Sequence, residues 1–161
     1  MDRINLNHSS HTTNNTYTLR EDIHVHIKFS TAFKVLTNPE YFENFLGPQF
    51  ENVQGNIDGF SARLRLPIKK QILVMSRGGG DSDTINYQGE LGSECAQLIW
   101  KINPETTTEV HITAELRYAI SPGIINKLSE STIFKAHRLQ SIRDSLWLLK
   151  RYLENFDNDK L

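Results

Sequence analysis

The stretch LQSIRDSLWLLKRYLENF, residues 139–156, decides the fold. Its large apolar residues recur at spacings of 3, 4, 3, 4 and 3, at Leu139, Ile142, Leu146, Leu149, Leu153 and Phe156. This period predicts a long amphipathic helix with one apolar stripe. The stripe is too short, and its upstream part too irregular, to favour a coiled coil, so we expect it to pack against another layer of the domain.

The start of this helix is predicted near Ser121 and Pro122, because serine is a favourable N-cap and proline a favourable first helical residue. Ile125 and Leu128 are expected to lie near the face that carries the stripe.

The N-terminal part of the domain begins with a predicted strand. Residues 17–28 alternate between apolar and polar side chains, which is typical of a strand with one buried face. Two short helices follow at 31–37 and 39–46, because Asn38-Pro39 interrupts the helical backbone and Gly47-Pro48 ends the second helix.

Residues 49–119 are predicted to form six strands separated by turns. Apolar residues alternate with polar ones along most of these segments, for example in residues 60–66 and 110–118. The connections are short, whereas a parallel crossover needs about a dozen residues or more. We therefore expect an antiparallel meander, against which the C-terminal helix buries its stripe.

Composition agrees with one soluble domain. The chain has 161 residues, of which 38% are hydrophobic and 23% charged. Residues 1–16 are almost entirely polar, so we expect a disordered tail there, a folded domain at 17–156 and a short C-terminal tail at 157–161. The single cysteine, Cys95, excludes a disulfide within the chain.

The charge balance limits the classes of partner. Lysine and arginine number 18 against 19 acidic residues, which argues against nucleic-acid binding over a broad surface. No apolar run reaches the roughly 20 residues of a membrane span, and the N-terminus lacks the apolar stretch of a signal peptide. We expect a cytoplasmic protein without an integral membrane segment. The basic strip of Arg63, Arg65, Lys69 and Lys70 leaves a peripheral membrane or protein partner open.

Three short segments resemble a known superfamily. Residues 33–40, FKVLTNPE, resemble the step that follows the first strand in START-like helix-grip (SRPBCC) proteins, with Asn38 where aspartate is common. Ser121-Pro122-Gly123 resembles the polyketide cyclase-like and the carbon monoxide dehydrogenase-associated groups. Residues 51–56, ENVQGN, resemble a strand of the plant pathogenesis-related branch, although the glycine run of that branch is absent here.

This resemblance implies an α+β helix-grip fold, in which a seven-stranded curved antiparallel sheet wraps around the long C-terminal helix. It also implies a cavity between sheet and helix for a hydrophobic small molecule that is lipid-, polyketide- or quinone-like. Residues on the apolar strand faces and the helix stripe are the expected ligand contacts. They are Phe60, Leu64, Tyr87, Trp100, Tyr118, Leu139, Ile142 and Leu146.

Two other functions stay open. The first is a cyclase, dehydratase or hydrolase acting inside the cavity, for which Glu21, Tyr87 and Tyr118 are the acid–base candidates. The second is a recruitment or assembly role for a redox enzyme, similar to that of the carbon monoxide dehydrogenase-associated group. No catalytic motif of the superfamily is matched, so binding is the leading interpretation.

No cofactor or metal is expected from the sequence. His24 and His26 share one face of the first strand with Lys28, but no third metal ligand is evident near them. Gly78-Gly79-Gly80 lacks the lysine and the following helix of a phosphate-binding loop.

Overall fold

A seven-stranded antiparallel sheet and one long helix form the protein in the computed structural model, which describes residues 15–156. The strands are β1 (Thr16–Val25), β2 (Phe50–Asn56), β3 (Gly59–Leu66), β4 (Lys69–Arg77), β5 (Thr84–Leu91), β6 (Glu94–Pro104) and β7 (Val110–Ala119). The helices are α1 (Phe29–Thr37), a 3-10 helix (Pro39–Asn44), α2 (Ile124–Ser129), a π-helical turn (Glu130–Phe134) and α3 (Lys135–Phe156).

The strand order is β1-β7-β6-β5-β4-β3-β2. Strands β2 to β7 therefore form a meander of neighbouring hairpins, and β1 joins its far edge beside β7. The pairing of β1 with β7 runs without a break from Thr16 opposite Ala119 to Val25 opposite Val110. The predicted seven-stranded antiparallel sheet around a C-terminal helix is confirmed.

The two short helices close one end of the sheet. Asn38 has an extended backbone between them, and its Oδ1 accepts a hydrogen bond from the Glu40 N–H at 3.1 Å, so the predicted break before Pro39 is confirmed. The second segment is a 3-10 helix that places Phe42 and Phe45, both fully buried, under the sheet. Phe42 contacts the rings of Phe60, Tyr87 and Trp100.

The stripe of α3 packs into the core through its central residues. Ile142, Leu146, Leu149 and Leu153 are buried, and Leu139 and Phe156 are partly buried against the same cluster. Burial of each such side chain stabilises the fold by about 1.5–3 kcal/mol, which is what holds the helix on the sheet.

The expectation for Ile125 and Leu128 is wrong, since they are 80% and 61% exposed. The π-helical turn between α2 and α3 explains the difference. Its wider turn places an extra residue in the helix, which rotates the α2 side chains by about 100° relative to α3. The helix also begins later than predicted, at Ile124, and Ser121 instead donates a hydrogen bond from its Oγ to Glu94 Oε1 at 3.0 Å.

Residues 1–14 and 157–161 lie outside the described residues, and most of the predicted polar tail falls there. Among the helices of residues 15–156, none combines the length and the apolar character that a membrane crossing requires.

Candidate functional site

An apolar inner cavity lies between the sheet and α3. Its walls come from the loop before β2, from β2 to β7, and from α3. The lining residues are Leu46, Phe50, Phe60, Leu64, Leu73, Leu91, Leu98, Trp100, Ala114, Leu116, Ile142 and Ser145. Ser145 uses its hydroxyl elsewhere, because Oγ donates to the Ser141 carbonyl at 2.7 Å and accepts from the Gly47 N–H at 2.8 Å. The cavity surface is therefore effectively apolar.

The inner cavity is small. Its volume is about 40 Å³, enough for roughly three water molecules at about 10–15 Å³ each by this measure. Ligand pockets typically have about 300–1,000 Å³. Most of the interior is thus filled by side chains, and a ligand needs additional space.

Trp100 is the polar exception on the cavity wall. It is only 2% exposed, and its indole Nε1 has no hydrogen-bond partner among the described residues. Buried donors in native proteins are nearly always satisfied, so this N–H is available to an acceptor in the cavity.

An outer pocket of about 260 Å³ opens beside the inner cavity. Leu91 lines both, so its side chain stands where the two spaces meet. The outer pocket is more polar. Its walls include Lys69, Gln71, Ser93, Glu94, Ser121, Asn126, Ser129, Glu130 and Phe134. An apolar inner end and a polar outer end are the usual arrangement of a ligand pocket.

A buried ion pair lies at the inner wall of the outer pocket. Arg138 Nε is 2.7 Å from Glu130 Oε1, and both residues are 1% exposed. The Tyr118 hydroxyl donates to the same carboxylate oxygen, and the guanidinium lies 4.6 Å from the centre of the Tyr118 ring. The π-helical turn supplies Glu130 and α3 supplies Arg138, which is eight residues later on the same helical stretch. Arg138 Nη1 has no partner within residues 15–156.

Lys69 is a second cation at this pocket. Its ammonium lies 4.3 Å from the centre of the Phe134 ring. Burial lowers the pKa of Lys69, and the nearby Arg138 guanidinium lowers it further. The wall of the outer pocket therefore combines Lys69 with the Glu130–Arg138 pair.

Comparison with solved structures identifies the architecture. An aromatase/cyclase from Streptomyces sp. R1128 superposes with a TM-score of 0.69 at 10% identity, covering 87% of this chain and 94% of that one. A START superfamily protein from Mycobacterium smegmatis gives a TM-score of 0.62 at 10% identity, covering 86% of this chain and 98% of that one. The chain has the START-like helix-grip fold.

A third helix-grip structure is a point mutant of norcoclaurine synthase from Thalictrum flavum in complex with a transition-state analogue. It superposes with a TM-score of 0.62 at 13% identity, covering 90% of this chain and 98% of that one. No protein-family model and no curated protein sequence matches the chain.

Four of the eight predicted ligand contacts line the inner cavity of this helix-grip domain. They are Phe60, Leu64, Trp100 and Ile142. The structure does not bring the other four to its walls. Tyr118 contacts Glu130, and the Tyr87 hydroxyl donates to the Leu36 carbonyl at 2.7 Å. Leu139 packs at the edge of the core, and Leu146 lines a shallow surface pocket beside Glu21.

The three acid–base candidates already have partners in the helix-grip fold. Glu21 faces α3, where its Oε1 is 2.9 Å from Arg143 Nε. Tyr87 and Tyr118 are tied to Leu36 and Glu130. Of the three, Tyr118 alone contacts a residue that lines either space, and it does so through Glu130.

Sequence reasoning missed the Glu130–Arg138 pair, although one signal was present. Arg138 stands four residues before Ile142 and so falls on the apolar stripe of the helix. A charged residue at a stripe position indicates either a helix end or a buried ion pair, and Glu130 two turns earlier is the acid that completes it.

The two buried tyrosines predict a loss of stability at alkaline pH. Burial raises the pKa of Tyr87 and of Tyr118, and the hydrogen bond to Glu130 raises the latter further. Unfolded tyrosine ionises near about pH 10, while the folded protein keeps both protons, so stability is complete below that pH and is lost as the pH rises above it. Each tyrosine contributes a slope of about 1.4 kcal/mol per pH unit there.

Urea unfolding midpoints followed by circular dichroism between about pH 8 and about pH 11 measure this slope. Tyr87→Phe and Tyr118→Phe are each expected to flatten it relative to the wild type. The same slope in wild type and both variants would show that these hydroxyls do not resist ionisation.

Proposed function

We propose that this protein binds a small hydrophobic molecule that carries an oxygen acceptor. Its apolar body occupies the inner cavity beside Trp100, and its polar end lies in the outer pocket. Lipid-, polyketide- and quinone-like molecules all have this chemistry.

The unpartnered Trp100 N–H is the observation that carries the proposal. It is a buried donor in a cavity whose other walls are apolar, so an oxygen atom of the ligand would be fixed there by one directional bond. The remaining contacts are apolar and contribute affinity through burial.

The volumes support a ligand that uses both spaces. The inner cavity and the outer pocket, about 40 and 260 Å³, together reach the lower limit of typical ligand sites, about 300 Å³. They communicate only if Leu91 moves, which a change of side-chain rotamer permits. The Thalictrum flavum structure, in complex with a transition-state analogue, supports the view that this fold accommodates small molecules.

Fluorescence quenching tests the proposal, because the chain contains only two tryptophans. Trp147 is 61% exposed, so Trp147→Phe leaves Trp100 as the single emitter in the cavity. We expect a naphthoquinone or a bromine-labelled fatty acid, both short-range quenchers, to quench this variant saturably and to raise its melting temperature.

Two controls make the result specific. In Trp100→Phe the exposed Trp147 should show no saturable quenching. Ala114→Leu adds a side chain inside the inner cavity and should weaken binding, whereas Ala96→Leu adds the same group at a buried position outside the lining. Equal quenching of all four variants, or no change in melting temperature with either probe, would contradict the proposal.

Catalysis in the cavity, an assembly role for a redox enzyme and a peripheral membrane or protein partner stay predictions. The expected cytoplasmic location stays a prediction as well.

A further inference from the structure

We propose that the protein binds a divalent transition-metal ion of the zinc class through His24, Glu105 and His111. The site is separate from the ligand cavity. His24 alternates along β1 with Ile23 and Val25, whose side chains pack with the core, so it lies on the opposite face of the sheet from α3.

The sheet register supplies the metal ligand that the sequence did not reveal. His24 of β1 is paired directly with His111 of β7. Paired residues on neighbouring antiparallel strands project from the same face, with Cβ atoms about 4.5–5.5 Å apart. Two imidazoles that are 87 positions apart in the chain therefore stand side by side on a rigid support.

Glu105 lies between the two histidines. Its Oε2 is 2.7 Å from His24 Nδ1, and its Oε1 is 3.5 Å from His111 Nδ1. Ligand atoms on a tetrahedral zinc ion are about 3.4 Å apart, given bonds of about 2.0–2.1 Å. One ligand atom from each of the three residues already lies within 4.8 Å of the others, so small side-chain rotations bring them to an ion.

The turn between β6 and β7 holds Glu105 in place. The Glu105 N–H donates to the Glu109 carbonyl at 2.9 Å, and the Thr106 N–H donates to the same carbonyl at 3.2 Å. The carboxylate is thus presented by a closed, hydrogen-bonded turn, which lowers the conformational entropy lost when an ion binds.

Outer carboxylates stand behind both imidazoles. Asp22 Oδ2 is 3.1 Å from His111 Nε2, and Glu109 Oε1 is 3.9 Å from His24 Nε2. Metal-ligating histidines typically donate their second ring N–H to a carboxylate, which fixes the tautomer and makes the other nitrogen a better ligand. This arrangement favours Nδ1 of both rings as the ligand atoms, on the side where Glu105 lies.

The donor set indicates the class of ion. Imidazole suits zinc, copper and nickel, whereas calcium and magnesium prefer an all-oxygen environment. The side chains of His24, Glu105 and His111 are 38%, 43% and 34% exposed, so an ion reaches the site directly from solvent. Three protein ligands leave a fourth position for water.

A second group, His24 with His26 and Glu109, also has its ligand atoms within 4.8 Å of one another but shares His24 with the first. His26 is 62% exposed, and the carboxylate 3.1 Å from its Nδ1 is that of Glu109 itself. In this group Glu109 would be a ligand of the ion and could no longer orient an imidazole from behind. We therefore assign the ion to the first group.

Zinc titration of the full, untagged chain by calorimetry tests the assignment, with cobalt absorption as a spectroscopic check. We expect one zinc ion per chain. His24→Ala, His111→Ala and Glu105→Gln should each weaken zinc binding by at least about tenfold, as should Asp22→Asn through the outer carboxylate. His26→Ala should bind zinc like the wild type.

The control variant His8→Ala/His11→Ala removes two histidines outside the described residues and should retain the zinc site. Melting curves without metal establish that each variant is folded. Unchanged affinity in folded His111→Ala would overturn the proposal. So would loss of binding in His26→Ala or in His8→Ala/His11→Ala, since the ion would then lie elsewhere.

Discussion

Replacing Arg138 by methionine is expected to lower the free energy of unfolding by about 3–5 kcal/mol. Methionine keeps much of the volume of the arginine side chain but leaves the Glu130 carboxylate without its cation. Both residues are 1% exposed, so water cannot solvate the remaining charge. The Tyr118 hydroxyl is then the one short side-chain partner of Glu130 that remains among the described residues.

For a domain of this size the loss corresponds to a decrease in melting temperature of about 10–20 °C. Thermal unfolding by circular dichroism or calorimetry at neutral pH measures it. Arg117→Met is the matched control, because Arg117 pairs with Glu115 on the surface and is 50% exposed. Exposed pairs contribute at most about 1 kcal/mol.

A double variant separates the two components of this effect. Glu130→Leu/Arg138→Met removes both charges and is expected to recover most of the stability, because no buried charge is left unpaired. If Arg138→Met is no more destabilising than Arg117→Met, the Glu130–Arg138 pair is not buried in solution as the structure describes.

The architecture could be predicted because its determinants are periodic in the sequence. The 3–4 spacing of the stripe in α3 and the alternation in β1 and β7 each follow from the need to bury one face of an element. The break at Asn38-Pro39 was equally local, since proline restricts the residue that precedes it.

The features that escaped prediction depend on contacts between distant residues. The π-helical turn at Glu130–Phe134 rotates α2 away from the stripe, and no local pattern at those residues announces it. His111 joins His24 only through the strand register. The small volume of the inner cavity depends on how the side chains of several strands interlock, which a periodic pattern does not specify.

Leu91→Ala is expected to lower the free energy of unfolding by about 2–5 kcal/mol and, unlike other core truncations, to strengthen ligand binding. Leu91 is 2% exposed and lines both the inner cavity and the outer pocket. Removing its side chain joins the two spaces, so a ligand no longer has to displace Leu91 in order to occupy both. The naphthoquinone titration in a Trp147→Phe background measures the affinity, and melting curves with and without the probe measure the stability.

Leu149→Ala is the matched control, because Leu149 is fully buried in α3 but lies outside the walls of both spaces. It should lose a similar amount of stability without any gain in affinity. In Leu91→Ala the probe should raise the melting temperature by more than it does in the Trp147→Phe parent, since ligand binding to the folded state recovers part of the lost stability. If the two truncations respond equally to the probe, Leu91 does not separate the spaces, and the proposed ligand site is confined to one of them.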